Sequence, residues 1–173
     1  MVMIKKFDFV LLPPDGFHIN FQDLHYLKIK NFQLIEKHIY NMSKFQKKKM
    51  IIKYRTEFQK ENFPCKSEYK VGYGNLLDLC HEKTEIIGPC GSSMLKVLKS
   101  NLNYYSYDFE KRYSDKRIER NKFNAILHVA NTVPELIKNI KNKKIYKKNL
   151  NYKSLLFSDG KSLKDLVSDI INK

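Results

Sequence analysis

The sequence has no tryptophan and contains few residues of several other types: 4 Arg, 2 Ala, 6 Gly and 5 Pro in 173 residues. No stretch approaches the roughly 18 apolar residues of a membrane-spanning helix, so no membrane span is expected. The three cysteines, at positions 65, 80 and 90, form no even disulfide framework. Because no secretory leader is visible either, the sequence favours a reducing compartment.

Lysine and asparagine are abundant, with 29 Lys and 15 Asn, as an AT-rich coding sequence would impose. The net charge of +15 is therefore weak support for a polyanionic partner, and its distribution is stronger support. Residues 43–60 and 134–153 each carry +6, which is twelve of the fifteen net charges. Two concentrated basic segments predict contact with a nucleic acid backbone, most simply that of RNA.

Residue periodicity predicts an antiparallel helical hairpin near the N-terminus. A short strand is expected over 6–12, followed by a helix from about residue 20 or 23 to residue 41. Ser43 is a candidate N-cap for a second, basic helix that must stop before Pro64. Two helices joined by so few residues are expected to fold back on each other.

The remainder, residues 64–173, is predicted to be a mainly helical extension with a basic arm at 138–153. A short strand is expected at 84–87, and the C-terminal stripe at 163–171 predicts an amphipathic helix that contacts another protein. Further helices are predicted to begin near Ser92 or Ser93, at Asp108 and at Pro134. The predicted fold class is thus mainly α and partly extended, divided into 1–63 and 64–173.

Basic side chains in these segments are the candidate RNA-binding residues. The lysines would neutralise phosphates, although a lysine-biased protein could also carry them as a solvated surface. The arginines would bind phosphate in two-point fashion, or else pair with acidic neighbours on their own helix. The candidates are Lys44, Lys47, Lys48, Lys49, Lys53, Arg55, Arg112, Arg117, Arg120, Lys138, Lys141, Lys143, Lys144, Lys147 and Lys148.

Other chemistry has weaker support in the sequence. Cys65, Cys80, His81 and Cys90 are the only possible soft-metal ligands, and the CxxC pairs of zinc sites are missing, so no metal is predicted. The segment 86–98, IIGPCGSSMLKVL, has a strand-turn-helix pattern that could hold phosphate but lacks the Gly-Lys-Ser ending of a P-loop. No catalytic group and no cofactor are predicted.

Residues 19–27, INFQDLHYL, and 28–37, KIKNFQLIEK, resemble the signature of the mitochondrial form of large-subunit ribosomal protein number twenty-nine. The stretch KKKMIIKYRTEFQKEN at 47–62 is similar to the basic second helix of that family. The matching positions are Phe21, Asp23, Leu24, His25, Leu27, Lys28, Lys30 and Asn31. The resemblance implies a two-helix hairpin on ribosomal RNA near the peptide exit tunnel, with neighbouring ribosomal proteins as partners and a mitochondrial location.

The expected function is that of a structural, non-enzymatic RNA-binding constituent of a ribonucleoprotein, the large subunit of a mitochondrial ribosome. One alternative is an accessory subunit of a respiratory or ATP synthase complex that packs on protein and anionic lipid. Another is a small RNA-modifying enzyme with a site around residues 88–93. If the resemblance does not hold, a cytoplasmic location is the alternative.

Overall fold

A parallel β-sheet organises the chain. The computed structural model describes residues 5–14, 22–72, 74–89, 97, 100, 102–109 and 128–144. The strands are β1 (Phe7–Leu11), β2 (Met50–Tyr54), β3 (Tyr69–Val71), β4 (Cys80–Pro89) and β5 (Asn103–Tyr107). The helices are α1 (Gln22–Phe45), α2 (Glu57–Asn62), a short 3-10 helix η1 (Leu76–Leu79) and α3 (Val133–Lys141).

The strand order is β3-β2-β1-β4-β5, and every pair is parallel. Ala130 adds a parallel bridge to Tyr107 beyond β5. The chain adds strands in one direction from β1 to β3 and then in the other from β4 onward, which is a doubly wound arrangement. The helix α1 packs on one face of the sheet, whereas Val97 and Leu102 pack on the other.

The prediction of a mainly α fold is wrong, and so is the predicted hairpin. Residues 43–62 do not form a second helix, because Met50–Tyr54 is the strand β2 and only Glu57–Asn62 is helical. All five residues of β2 are buried, so the strand lacks the polar–apolar alternation by which half-buried strands are recognised. The single sheet contains two strands that precede residues 62–64, β1 and β2, and three that follow them, β3, β4 and β5.

The side chain of Lys53 makes β2 difficult to recognise as a buried strand from the sequence alone. Although it is a lysine, it is only 7% exposed. Its ammonium group donates hydrogen bonds to the carbonyl oxygens of Tyr54, at 3.2 Å, and of Gly72. Burial, and to a lesser extent the nearby charge of Lys70, lowers the pKa of Lys53. A charge at this position therefore belongs to the interior of the sheet and not to a basic helical face.

The prediction of α1 is confirmed, and the helix runs one turn further than expected. Phe32, Ile35 and Ile39 recur at helical spacing and are buried against the sheet. On the same helix the carboxylate of Glu36 accepts hydrogen bonds from the backbone N–H groups of Lys66 and Ser67, at 2.8 and 2.7 Å. This carboxylate fastens the segment that leads into β3.

The helix α3 also begins as predicted. The hydroxyl of Thr132 accepts a hydrogen bond from the Glu135 backbone N–H, and the Glu135 carboxylate accepts one from the Asn131 N–H. Pro134 occupies the first turn, where its missing N–H is not needed. The four apolar residues Val133, Leu136, Ile137 and Ile140 then face the sheet core.

Two predicted strands are confirmed, as β1 and as part of β4. The strand β5 was not predicted. The helix predicted to begin at Asp108 falls on residues outside the described ones, which stop at residue 109 and resume at residue 128. The predicted helix starts at Ser92 or Ser93 and the stripe at 163–171 lie outside the described residues. Among the helices that the structure describes, none is long and apolar enough to cross a membrane.

Candidate nucleic-acid interface

The predicted RNA-binding residues are distributed over both ends of the sheet. Arg112, Arg117, Arg120, Lys147 and Lys148 lie outside the described residues. Arg55 follows the carboxyl end of β2, and Lys53 is buried within that strand. The remaining described candidates lie in the last turns of α1 and α3 or directly after them, and they are Lys44, Lys47, Lys48, Lys49, Lys138, Lys141, Lys143 and Lys144.

The helix α1 ends in a Schellman turn. The backbone N–H of Lys48 donates to the Ser43 carbonyl at 2.8 Å, and the N–H of Lys47 donates to the Lys44 carbonyl at 3.2 Å. This pair of bonds satisfies two of the carbonyls left open at a helix end. It requires a left-handed backbone at Lys47, whose φ is +53°.

The helix α3 ends in the same way. The N–H of Lys144 donates to the Asn139 carbonyl at 2.9 Å, and the N–H of Lys143 donates to the Ile140 carbonyl at 3.1 Å. Lys143 has a φ of +51°. The two helices on this face therefore end in matching turns, each with a lysine in the left-handed position and another lysine directly after it.

A left-handed backbone is costly for lysine. The conformation costs an L-residue with a Cβ atom about 1–2 kcal/mol, which is why glycine or asparagine usually occupies it. Lys47 and Lys143 are the only non-glycine residues with positive φ in the described part of the chain. Backbone strain in this structure is thus concentrated at two lysines.

Both turns lie at the amino edge of the sheet. The helix α1 connects the carboxyl end of β1 to the amino end of the parallel strand β2, so its C-terminus must lie at the amino edge. The helix α3 starts just after Ala130, which pairs with the last residue of β5, and packs on the same face as α1. It therefore runs back in the same direction, so its C-terminal turn also points toward the amino edge.

The lysines in these turns differ in how they are held. The ammonium group of Lys48 lies 3.7 Å from the Glu85 carboxylate and 4.9 Å from the centre of the Phe9 ring, so it is engaged within the fold. Lys47, Lys49, Lys143 and Lys144 are exposed and form no ion pair with a described residue. Exposed ammonium groups without an internal partner can meet an external anion.

Phe45 is a candidate functional residue that sequence reasoning missed. It is the last residue of α1, between Lys44 and the left-handed turn, and its side chain is 91% exposed. The available signal was an aromatic residue with lysines on both sides of it in sequence, at positions 44 and 47. The helix was instead expected to end at residue 41, which placed Phe45 inside the next helix.

The backbone of the α1–β2 turn is anchored by Asp8. One carboxylate oxygen of Asp8 accepts a hydrogen bond from the Lys49 N–H at 2.8 Å, and the other lies 3.4 Å from Nε2 of His81. The second ring nitrogen of His81 accepts a bond from the Lys83 N–H at 3.1 Å. With both nitrogens of His81 engaged, this pair positions the turn and is not arranged as a general base.

The opposite, carboxyl edge of the sheet is fastened by two tyrosines of β5. The Tyr107 hydroxyl donates to the Leu12 carbonyl at 2.9 Å, and the Tyr104 hydroxyl donates to the Pro89 carbonyl at 2.7 Å. These carbonyls lie where the chain leaves β1 and β4, the two strands between which the winding direction reverses. Both sides of the crevice expected at this reversal are therefore fixed.

Gly88 and Ser106, which are paired across β4 and β5, belong to the same edge. A Cβ atom on Gly88 would lie 2.4 Å from the Tyr104 hydroxyl oxygen and 3.0 Å from a Leu12 methyl, so only glycine fits there. The hydroxyl of Ser106 is buried, with the residue 1% exposed, and it has no hydrogen-bond partner among the described residues. A buried hydroxyl without a partner normally costs about 1–3 kcal/mol.

The described thiols are not activated. Burial is the largest influence on both cysteines, and it raises the pKa of Cys80 to about 11 and also raises that of Cys65. Cys65 lines a cleft of about 900 Å³ beside α1, where its thiol donates to the Ser67 carbonyl at 3.6 Å. Among the described residues no three His, Cys, Asp or Glu side chains are grouped as metal ligands.

Comparison of the chain with protein-family models, curated proteins and solved structures finds no match. The interpretation of the site therefore depends on the geometry and chemistry of this chain alone.

The strain at the two turns predicts that Lys47→Gly and Lys143→Gly each stabilise the fold. Glycine adopts the left-handed conformation without the Cβ clash, so each change should raise the free energy of unfolding by about 0.5–1.5 kcal/mol. Urea or thermal unfolding of each variant measures this difference.

The matched control is Lys37→Gly, the same substitution at an exposed right-handed position within α1. It should instead destabilise the protein by about 1 kcal/mol. Equal losses of stability at all three positions would show that Lys47 and Lys143 are not strained.

Proposed function

We propose that this chain binds RNA through its phosphate backbone, using a surface that we call the basic edge. The surface consists of the exposed lysines at the two helix ends. The observation that carries the proposal is that the two non-glycine residues with positive φ in the described chain are both lysines. The members of the basic edge are Lys44, Lys47, Lys49, Lys143 and Lys144.

Compositional bias does not account for lysine at these positions. An AT-rich coding sequence favours asparagine as well as lysine, and the chain contains 15 Asn. Asparagine is several-fold enriched among left-handed residues and would relieve much of the strain. Lysine at both positions, with its extra cost in stability, is better explained by a use for its ammonium group.

The helix dipole accounts for only part of the arrangement. Cations near a helix C-terminus stabilise it by about 0.3–1 kcal/mol. Lys44 and Lys48 already provide such cations next to the left-handed position of α1, and Lys141 and Lys144 do so in α3. A further cation at the strained position adds little to that effect, so an external anion is the better explanation.

The shape of the basic edge favours contact with the backbone over recognition of base pairs. The two helices end at this edge, and Lys47, Lys49, Lys143 and Lys144 lie on the turns after them and not on the side of a helix, which is the part that would enter a major groove. Lysines on turns act as point charges and neutralise phosphates whatever the sequence. Binding of this kind should be strong at low salt and weaken steeply as salt is added.

The proposal does not extend to a particular ribonucleoprotein. The ribosomal resemblance of the first third implies a two-helix hairpin, and β2 occupies the place of its second helix. The basic edge, of which Lys143 and Lys144 lie outside that resemblance, is what supports RNA binding here. The proposal is therefore tested by substituting the lysines of the basic edge.

A second candidate function is binding of a phosphate-bearing small molecule at the carboxyl edge, as expected if the chain were an enzyme acting near residues 88–93. Doubly wound sheets bind ligands in the crevice where the strand order reverses. The buried Ser106 hydroxyl without a partner beside Gly88 favours this candidate, because a ligand could satisfy it. The two functions use opposite edges and are compatible.

RNA binding predicts that the double variant Lys47→Gly, Lys143→Gly has a lower affinity for RNA even though it is more stable. With an oligo(U) strand of about 20 nucleotides, the plot of log affinity against log salt should become shallower by about 1.4, because two phosphate contacts are lost. Fluorescence anisotropy across a salt series measures both quantities.

The control for charge alone is Lys30→Gln, Lys37→Gln, which removes two exposed lysines from the middle of α1. Its salt dependence should stay close to that of the unmodified chain. If both double variants lose affinity equally, the basic edge is no special surface, and if neither does, the proposed RNA contact is refuted.

The second candidate predicts that a nucleotide raises the melting temperature through Ser106. ADP, UDP and inorganic phosphate at millimolar concentration should be tested in thermal unfolding, since a ligand bound only by the folded state stabilises it. Ser106→Ala should retain the fold and reduce the shift. Absence of any shift in the unmodified chain would exclude these ligands from the carboxyl edge.

A further inference from the structure

The exposure of Phe45 stands out among the large apolar side chains. At 91% exposed it exceeds Tyr26, at 66%, and Phe58, at 59%. It contributes almost nothing to the core, and solvation of its ring gives no stability to the folded chain. Its position at the end of a helix leaves the ring surrounded by solvent on nearly every side, in a place where a polar residue would serve the fold equally well.

The neighbours of Phe45 are basic and aromatic. Lys44 precedes it and its ammonium group lies 5.3 Å from the centre of the Tyr40 ring, one turn earlier in α1. Lys47 and Lys49 follow it in the turn. The ring is therefore bordered by cations before and after it along the chain, which is the combination found where proteins hold single-stranded nucleic acid.

We infer that Phe45 is a stacking platform for an unpaired base, so that the basic edge binds single-stranded RNA in preference to duplex RNA. The inference rests on the proposed function, because the lysines supply the phosphate contacts that bring a strand to the ring. A base in a single strand can turn its face onto an exposed aromatic ring. A base within a duplex is stacked between its neighbours and cannot.

An anionic membrane is the competing partner for a phenylalanine among lysines. Helices that lie in a membrane interface bury a continuous apolar face along much of their length. Along α1 the other exposed large apolar side chains, Tyr26, Leu27 and Leu34, are interrupted by the exposed Lys30, Lys37 and His38, so they form no continuous apolar face. At the C-terminal end the exposed rings are Phe45 and Tyr40, and the opposite face of the helix is buried against the sheet. One or two rings suit stacking on bases better than insertion into lipid.

The absence of tryptophan from the chain gives a direct test, because Phe45→Trp introduces a single indole fluorophore. The matched control is Phe58→Trp, which places the indole on α2, beyond the carboxyl end of β2. Oligo(U) should quench the fluorescence of the Phe45→Trp protein and leave that of the control unchanged. A duplex of the same length should cause little quenching in either protein.

Binding by substituted chains completes the experiment. Phe45→Ala and Phe45→Leu should each bind oligo(U) about tenfold more weakly, as expected for loss of one stacked base, with the salt slope unchanged because no phosphate contact is lost. Phe45→Trp should bind at least as well as the unmodified chain. Weakening by alanine but not by leucine would overturn the inference, since an apolar contact would then suffice.

The remaining outcomes separate this inference from the proposed function. If oligo(U) binding depends on Lys47 and Lys143 but the indole is not quenched, the stacking role fails and the backbone contact stands. If neither group of residues matters, the proposed function fails as well. Quenching or a blue shift with phosphatidylserine vesicles and none with oligo(U) would assign the surface to a membrane and overturn the inference.

Discussion

The parallel pairing of β1 with both β2 and β4 constrains the rest of the structure. A parallel partner can be reached only if the chain returns from the carboxyl edge to the amino edge before each new strand begins. The helix α1 makes that return between β1 and β2, and α3 runs in the same direction after the last strand position. The C-terminal ends of these two helices, with their lysines, therefore lie at the amino edge. The points where the chain leaves the strands lie at the carboxyl edge.

The two edges are built differently, and the difference follows from this constraint. At the carboxyl edge Tyr104 and Tyr107 bond to the carbonyls of Pro89 and Leu12, which fixes the exits of β4 and β1, and the Ser106 hydroxyl has no partner among the described residues. At the amino edge the helices end in strained turns that expose ammonium groups. Local strain kept in a fold of marginal stability is commonly associated with function. On this view the basic edge retains lysines that reduce stability because they contact an external polyanion.

Local patterns in the sequence were sufficient to predict the helices that have one face buried and the other exposed to solvent. The spacing of Phe32, Ile35 and Ile39 predicted α1, and the residues around Pro134 predicted the start of α3. The same reasoning failed for β2 and β5, because strands buried on both faces show no alternation and Lys53 satisfies its charge inside the sheet. Charge counting located the basic segments but could not show that their helices end at the same edge of the sheet, because that depends on strand pairing between distant residues.

The central claim is that RNA lies against the amino edge of the sheet, and photochemical cross-linking tests it most directly. Oligo(U) containing 4-thiouridine would be irradiated with the unmodified chain, and the cross-linked residues would be identified by mass spectrometry. The proposed arrangement predicts cross-links at Phe45 and its lysine neighbours, which disappear at high salt as the phosphate contacts are screened. Cross-links confined to the carboxyl edge, around Pro89 and Tyr107, would contradict it.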